Sequence, residues 1–510
     1  MSRRFNTGGP CRPAYDHLIP AASRLPEVPR LIDQQGYFVV HAPQQTGKTT
    51  TLLALARELT AGGRYAALRF SCETGRACGD DIGAATRTVL DAIRTEAEDL
   101  LPAELRPPAW PAASEGTLLV AALRAWAQVC PRPLVLFFDE FDTLRGQPLI
   151  SLLSQLRDGY TGRADDFPSS LALCGVHDVR DYPFNIKLES LRLGDFTPDE
   201  VRELYGQHTA DTGQKFTPAA LDRAVELTAG QPWLVNALAR EVVEEIAVPA
   251  TEPITVEHVE EAKERLILAR ATHLDSLAAR LAEPRVRRIL GPVLAGDVLT
   301  IEPYDDDITY LRDLGLIAPT PPVRVANPIY SEVVARVLAS RIQESVTADP
   351  RSFIRPDGTF DLPRMLDEFV DFWTEHGDFL VSGGYYDEAA PQLILMGFLQ
   401  RVVNGGGYVD REYGVGSGRI DLLIRWPYTG GDSTRHVQRE ALELKVWRAG
   451  RPDPLRAGLT QLDRYLDRLG LPTGVLVVFD QRPNTPDITE RTAITSTTSP
   501  AGRTITLLRA

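Results

Sequence analysis

The chain has 510 residues, too many for one hydrophobic core, so about two to four domains are expected. Its apolar fraction of 43% and charged fraction of 24% are those of a soluble globular protein, and no run of about 18 apolar residues occurs to cross a membrane. A net charge of −14 excludes a surface coated throughout for nucleic acid, though not a local basic patch.

The first residues, "MSRRFNTGGPCRPAYD", are basic but lack the apolar segment of a signal peptide. Five cysteines, scattered and odd in number, point to a reducing cytoplasm without a disulfide framework. Cys72 and Cys78 could ligate a metal, but no second pair completes a four-ligand zinc site, and structural thiols are the plainer reading.

"GYFVVHAPQQTGKTTTLLALARELT" reads as strand, loop and helix, the helix starting near Lys48 with Leu52, Leu53, Leu55 and Leu59 on its apolar stripe. The loop "APQQTGKT" follows the phosphate-binding pattern G-x-x-x-x-G-K-[ST], with Ala42 in place of the first glycine. Backbone N–H groups of Gln45, Thr46, Gly47, Lys48 and Thr49 can wrap a phosphate at the positive end of a helix, with Thr50 beside them. Lys48 would neutralise the β/γ-phosphates of ATP, and the Thr49 hydroxyl would ligate Mg²⁺. Further on, "RPLVLFFDEFDTL" is an apolar strand, Leu134 to Phe138, ending in two acids. The carboxyl edge of a buried parallel strand is where Asp139 would hold the Mg²⁺ shell and Glu140 would polarise an attacking water.

Two more strands are read in "SLALCGV" and "FNIKLESL". The first runs into His177, Asp178 and Arg180, which are either a polar sensor of the nucleotide or an ordinary loop. These features resemble an AAA+-type ATPase of the STAND and archaeal-ATPase branch. Thr197 and Thr217, each followed by proline, open helices of the helical lid that this resemblance implies. The Gly230–Pro232 stretch matches that branch's Gly-x-Pro, which implies Pro232 against the adenine. "YLRDLGLIAPTPPVRVANPIYSEVVARVL" resembles the winged helix that follows the lid, read as helix, hairpin and helix. In that branch it either binds DNA or packs on the nucleotide domain as a switch.

"TADPRSFIRPDGTFDLPR" is rich in Pro, Asp and Gly and reads as a linker. Beyond it come a helix from about Glu388 to Val403, strands "GYVDREYG", "GRIDLLIRW" and "ALELKVW", a helix from Pro454 to Leu469, and a strand "GVLVVFD". This order gives a mixed sheet flanked by helices. In "ALELKVWR" Glu443 and Lys445 share one strand face with Ala441 and Trp447, although the strand looks buried. Burying charges costs several kcal/mol unless they are paired or bind metal, so the two are either a satisfied ion pair or part of a metal site. Asp421 interrupts a neighbouring apolar run in the same way.

The Asp, then Glu-x-Lys order resembles the PD-(D/E)XK nuclease superfamily. The resemblance implies a centre in which Asp421 and Glu443 hold Mg²⁺ or Mn²⁺, Lys445 orients water or stabilises charge, and Glu388 completes the metal shell. Gln461 and Tyr465, four residues apart on one helical face, match the Gln-x-x-x-Tyr of several such nucleases. From Ala441 to Ala510 there are 10 Lys+Arg against 7 Asp+Glu, so the tail is mildly basic. Tyr413, Arg419, Trp447, Arg448, Arg451 and Arg456 could contact phosphates or bases there, or form a solvated rim.

The expected architecture is therefore α/β. A P-loop ATPase core spans 1–192, a helical lid 193–280, a winged helix 281–342, a linker 343–360 and a PD-(D/E)XK-type domain 361–510. The expected function is ATP-regulated, metal-dependent cleavage of nucleic acid, DNA in the first instance, with self-assembly compatible and no membrane partner. The rival is a nucleotide-dependent switch or DNA-binding scaffold whose nuclease-like domain is inactive. A replication-initiator-like loader is weakened by the enzyme-like C-terminal domain.

Overall fold

A computed structural model describes residues 3–161, 166–176, 189–269, 272–281, 283–294, 305–345, 350–382, 390–403, 406–415, 418–431, 434–482 and 485–510. The chain forms two compact units, one of Met1–Ala271 with Pro303–Pro319, the other of Thr272–Glu302 with Thr320–Ala510.

The first unit is built on a five-stranded parallel sheet of order β2-β3-β4-β1-β5. Its strands are β1 (Tyr37–His41), β2 (Ala66–Ser71), β3 (Leu134–Asp139), β4 (Ser170–Gly175) and β5 (Glu189–Arg192). The central strands are apolar almost without break because both faces are covered. Val39, Leu68, Phe70, Leu136 and Phe138 face one core, closed by helices Ile82–Leu100, Leu118–Val129 and Gly146–Thr161. Phe38, Val40, Ala67, Val135 and Phe137 face the other, where Leu52, Leu55 and Ala56 of helix Lys48–Ala61 pack. The carboxyl ends of β1 and β3 thus emerge side by side across β4.

Four further helices follow: Pro198–Thr212, Pro218–Thr228, Pro232–Arg240 and Val256–Leu268. Thr197 opens the first with a reciprocal capping box to Glu200, and the Thr217 hydroxyl accepts from Ala220 N. Gly230 precedes the third at φ +79, and a Cβ there would lie 1.9 Å from the carbonyl oxygen of Phe196. Gly230→Ala is therefore expected to destabilise the first unit by about 2 kcal/mol or more, read as a lowered urea midpoint; an unchanged midpoint would contradict this packing.

Helix Asp306–Asp313, capped by Asp305, belongs to the first unit, and helix Pro328–Ser345, whose Asn327 side chain accepts from Tyr330 N, to the second. The described residues between them form turns and bends, with bridge residues at Ile317 and Val325 and no longer strand.

The second unit holds a six-stranded mixed sheet of order β10-β11-β9-β8-β7-β6. β6 (Tyr408–Val415), β7 (Gly418–Thr429) and β8 (Arg435–Trp447) form an antiparallel meander. β9 (Gly474–Asp480) runs parallel to β8 after the crossover helix Leu455–Leu469. β10 (Ala493–Thr498) and β11 (Thr504–Arg509) are an antiparallel pair, with β11 beside β9. Helices Leu362–Ser382 and Ala390–Val403 cover one face, and Leu455–Leu469 the other. Within the stretch expected as a linker, Phe353 and Phe360 are fully buried in the core of this second unit.

Candidate active sites

The first site gathers where β1 enters helix Lys48–Ala61. Gly47 caps that helix at φ +84, and Gln45 also takes a left-handed conformation at φ 59. The turn is closed by Thr46 Oγ1 donating to Pro43 O at 2.9 Å. A loop bent in this way, followed by a helix N-terminus, presents its N–H groups to an anion. The Lys48 ammonium donates to Ala42 O at 2.7 Å and Pro43 O at 3.1 Å. Burial pushes it below the ordinary lysine range, against the opposing pull of Asp139, Asp142 and Glu140. Thr50 Oγ1 accepts from Cys11 N at 3.1 Å.

Asp139 is fully buried at the end of β3. Its Oδ2 accepts from Thr49 Oγ1 at 2.8 Å, which joins the two motifs read from the sequence. The same oxygen accepts from Arg69 Nε at 2.9 Å and Nη2 at 2.6 Å. Glu140 stands at φ 56, and its Oε2 accepts from Ser71 Oγ at 2.5 Å. Asp142 Oδ2 accepts from Val176 N at 2.7 Å. Pro232 is buried at the first turn of its helix, whose N-cap Gln231 accepts from Leu234 N at 2.6 Å and donates to Gln45 O at 3.4 Å.

Arg69, Ser71, Gln231 and the N-terminal segment were not singled out from sequence. Trp233 Nε1 donates to Thr7 O at 2.9 Å and Arg240 to Thr7 Oγ1 at 2.9 Å, so this segment is tied to the helix that Pro232 opens. His177, Asp178 and Arg180 lie outside the described residues.

The second site lies where β7 and β8 part. Their ladder runs from Thr429↔Arg435 to Leu422↔Leu442. Directly beyond it the Asp421 side chain takes over, Oδ2 accepting from Leu444 N at 2.7 Å. Glu443 is fully buried. Its Oε1 accepts from Lys445 Nζ at 2.6 Å, while Oε2 has no hydrogen-bond partner among the described residues. Lys445 also donates to Gln461 Oε1 at 3.1 Å, and Gln461 Nε2 to Tyr465 OH at 3.3 Å. Helix Leu455–Leu469 comes close enough for this because of Gly458, where a Cβ would lie 2.7 Å from Leu476 Cδ1. Asp421, Glu443, Lys445 and Gln461 are thus brought together. Glu388 and the side chains of Tyr413 and Arg419 lie outside the description. Trp447 is stacked under the Arg482 guanidinium at 3.4 Å, and Arg451 and Arg456 are exposed.

Burial, and after it the Asp421 carboxylate, push the Glu443 carboxyl up to about 8, against the pull of Lys445. The unfolded chain ionises this group near 4.5, so its contribution to stability is complete below that pH and is lost as pH rises towards about 8. Glu443→Gln is expected to gain on the order of 2 kcal/mol on the wild type between pH 5 and pH 9, measured by urea unfolding in EDTA. A difference that stays flat with pH would contradict the assignment.

A buried carboxylate oxygen without a donor, beside a second carboxylate, is a donor set that suits a hard divalent cation. Among the described residues no three or more His, Cys, Asp or Glu side chains converge as a metal cluster, and Asp421 and Glu443 are the described carboxylates of this site. All five cysteines are free. No helix among the described residues is long and apolar enough to cross a membrane.

No family model and no curated protein matches the chain. Among solved structures it is similar to a Walker-type ATPase of Pyrococcus abyssi, with 14% identity over 65% of this chain and 99% of that one and a TM-score of 0.48. It is also similar to the ORC2 protein of Aeropyrum pernix, with 15% identity, 63% and 93% coverage and a TM-score of 0.38. RuvB of Thermotoga maritima, a Holliday junction branch migration motor, gives 15% identity, 62% and 92% coverage and a TM-score of 0.33.

Proposed function

We propose that the first unit binds and hydrolyses ATP and that the second cleaves phosphodiester bonds of nucleic acid, with nucleotide state regulating the cut. The ATP reading is supported by the loop at Gln45–Thr49, by Lys48, and by Thr49 and Asp139 meeting at 2.8 Å. The γ-phosphate would lie on the loop N–H groups and Lys48. Thr49 and Asp139 would hold Mg²⁺, which supplies charge neutralisation at the phosphates. Glu140 would orient water once its bond to Ser71 opens. Pro232, at the head of its helix, would pack against the base.

The nuclease reading is carried by one observation: the unpartnered, buried Glu443 Oε2 next to Asp421, with Lys445 held between Glu443 and Gln461. Asp421 and Glu443 would hold Mg²⁺ or Mn²⁺, which supplies Lewis-acid stabilisation of the scissile phosphate. Lys445 would stabilise charge developing on the phosphate oxygens, and Gln461 would position Lys445. Lys445 is 23% exposed along its side chain, so the group is open to solvent on that side.

The Glu443–Lys445 ion pair favours a second reading, a nucleotide-dependent scaffold whose second unit binds without cutting. The test mixes the full chain with plasmid and linear DNA and Mg²⁺ or Mn²⁺, with and without ATP. Metal-dependent products that change with ATP support the first reading. DNA binding with no product under either metal supports the second.

A further inference from the structure

β2 contributes two polar side chains to the nucleotide site from one strand face, Arg69 and Ser71. Arg69 is the more consequential. Both of its hydrogen bonds fall on Asp139 Oδ2, the oxygen that Thr49 also reaches, while Asp139 Oδ1 accepts from Glu140 N at 3.0 Å. Four donors therefore engage a carboxylate that is fully buried. A cation or its water shell can take Oδ2, the oxygen that the Thr49 hydroxyl reaches, only where one of its three donors yields. The Glu140 N–H is fixed in the backbone, and the Thr49 hydroxyl would itself join the cation's shell. Arg69 is the donor that can move without opening the loop. Its remaining terminal nitrogen, Nη1, already stands 4.0 Å from Glu96 on helix Ile82–Leu100, a carboxylate about one-third exposed.

We infer that Arg69 competes with a divalent cation for the Asp139 carboxylate, and that Glu96 is the alternative partner that lets Arg69 leave. Arg69 thereby sets how strongly nucleotide binding depends on the cation. This rests on reading the first unit as an ATP site. Removing the guanidinium leaves Asp139 to the cation and removes a positive charge near the triphosphate. Removing the Glu96 charge holds Arg69 on Asp139 more firmly. The two changes act in opposite directions, which a merely structural role for Arg69 would not produce.

The experiment measures ATP affinity calorimetrically for the full chain, once in excess Mg²⁺ and once in EDTA, and compares the two constants as a ratio. Arg69→Met is expected to raise the dependence on Mg²⁺ about ten-fold. Arg69→Lys, which keeps the charge but not the two-pronged geometry, falls between it and the wild type. Glu96→Gln, at a partly exposed position, is expected to lower the dependence about three-fold. Wild-type binding with an unaltered ratio in Glu96→Gln overturns the inference even where Arg69→Met fails to fold. Shifts of the same sign in Glu96→Gln and Arg69→Met also overturn it. A wild type that binds no ATP under either condition overturns the site reading as well.

Discussion

Lys48→Met is expected to weaken ATP binding by about two orders of magnitude or more and to abolish turnover. The reason lies in where the ammonium sits. It is half-buried against Ala42 O and Pro43 O and pushed below its ordinary pKa range by desolvation, so it is a partly desolvated charge held at the loop. A triphosphate on the loop N–H groups would replace those carbonyl contacts with charge-assisted ones, which are roughly twice as strong. Methionine keeps the apolar stem, so folding is little changed and the loss falls on binding. Calorimetry with ATP and Mg²⁺ reads the effect. Binding within a few-fold of the wild type would remove the loop from the account.

The second large effect is expected at the other end of the chain. Asp421→Asn, Glu443→Gln and Lys445→Met should each reduce metal-dependent DNA cleavage by about 10³-fold or more. Glu443→Gln is the most telling of the three. It is nearly isosteric, and its stability is expected to gain on that of the wild type as pH rises, so urea unfolding at the assay pH separates a dead site from an unfolded chain. The ion-pair reading makes a different forecast for Lys445→Met, namely a loss of stability above pH 8, where Glu443 ionises and would be left unpaired. Glu443→Gln combined with Lys445→Met would then recover stability. Cleavage that persists in Glu443→Gln and in Lys445→Met, measured on linear DNA with Mn²⁺, would eliminate the nuclease assignment.

The parts legible in the sequence are those whose signal is local. The strand, loop and helix around Lys48 were readable because the loop chemistry and the apolar stripe lie within one short stretch. Asp139 and Glu140 were readable because acids end an otherwise apolar strand. Thr197 and Thr217 announced their helices through capping. Glu443 and Lys445 stood out as charges two apart on a buried strand. Arg69, a charge inside the apolar run "AALRF", carries that same signal and could have been found by it.

What stayed hidden depends on distant partners. "FNTGGPCRP" has no periodicity, and its place comes from the bonds of Thr7 and Cys11 to Trp233, Arg240 and Thr50 and from the packing of Phe5 on Tyr205 and His208. Phe353 and Phe360 sit among prolines, aspartates and a glycine that suggested a linker, yet the second core buries both. The β10–β11 hairpin was passed over although "TTSPAGRT" marks its turn.

The most direct measurement is anomalous diffraction from crystals of the full chain soaked in Mn²⁺. The account predicts a peak within about 2.5 Å of a carboxylate oxygen of both Asp421 and Glu443, with Glu443 Oε2 among the ligands. Crystals showing no peak there, with Lys445 still bonded to Glu443 and Oε2 still without a partner, would contradict it.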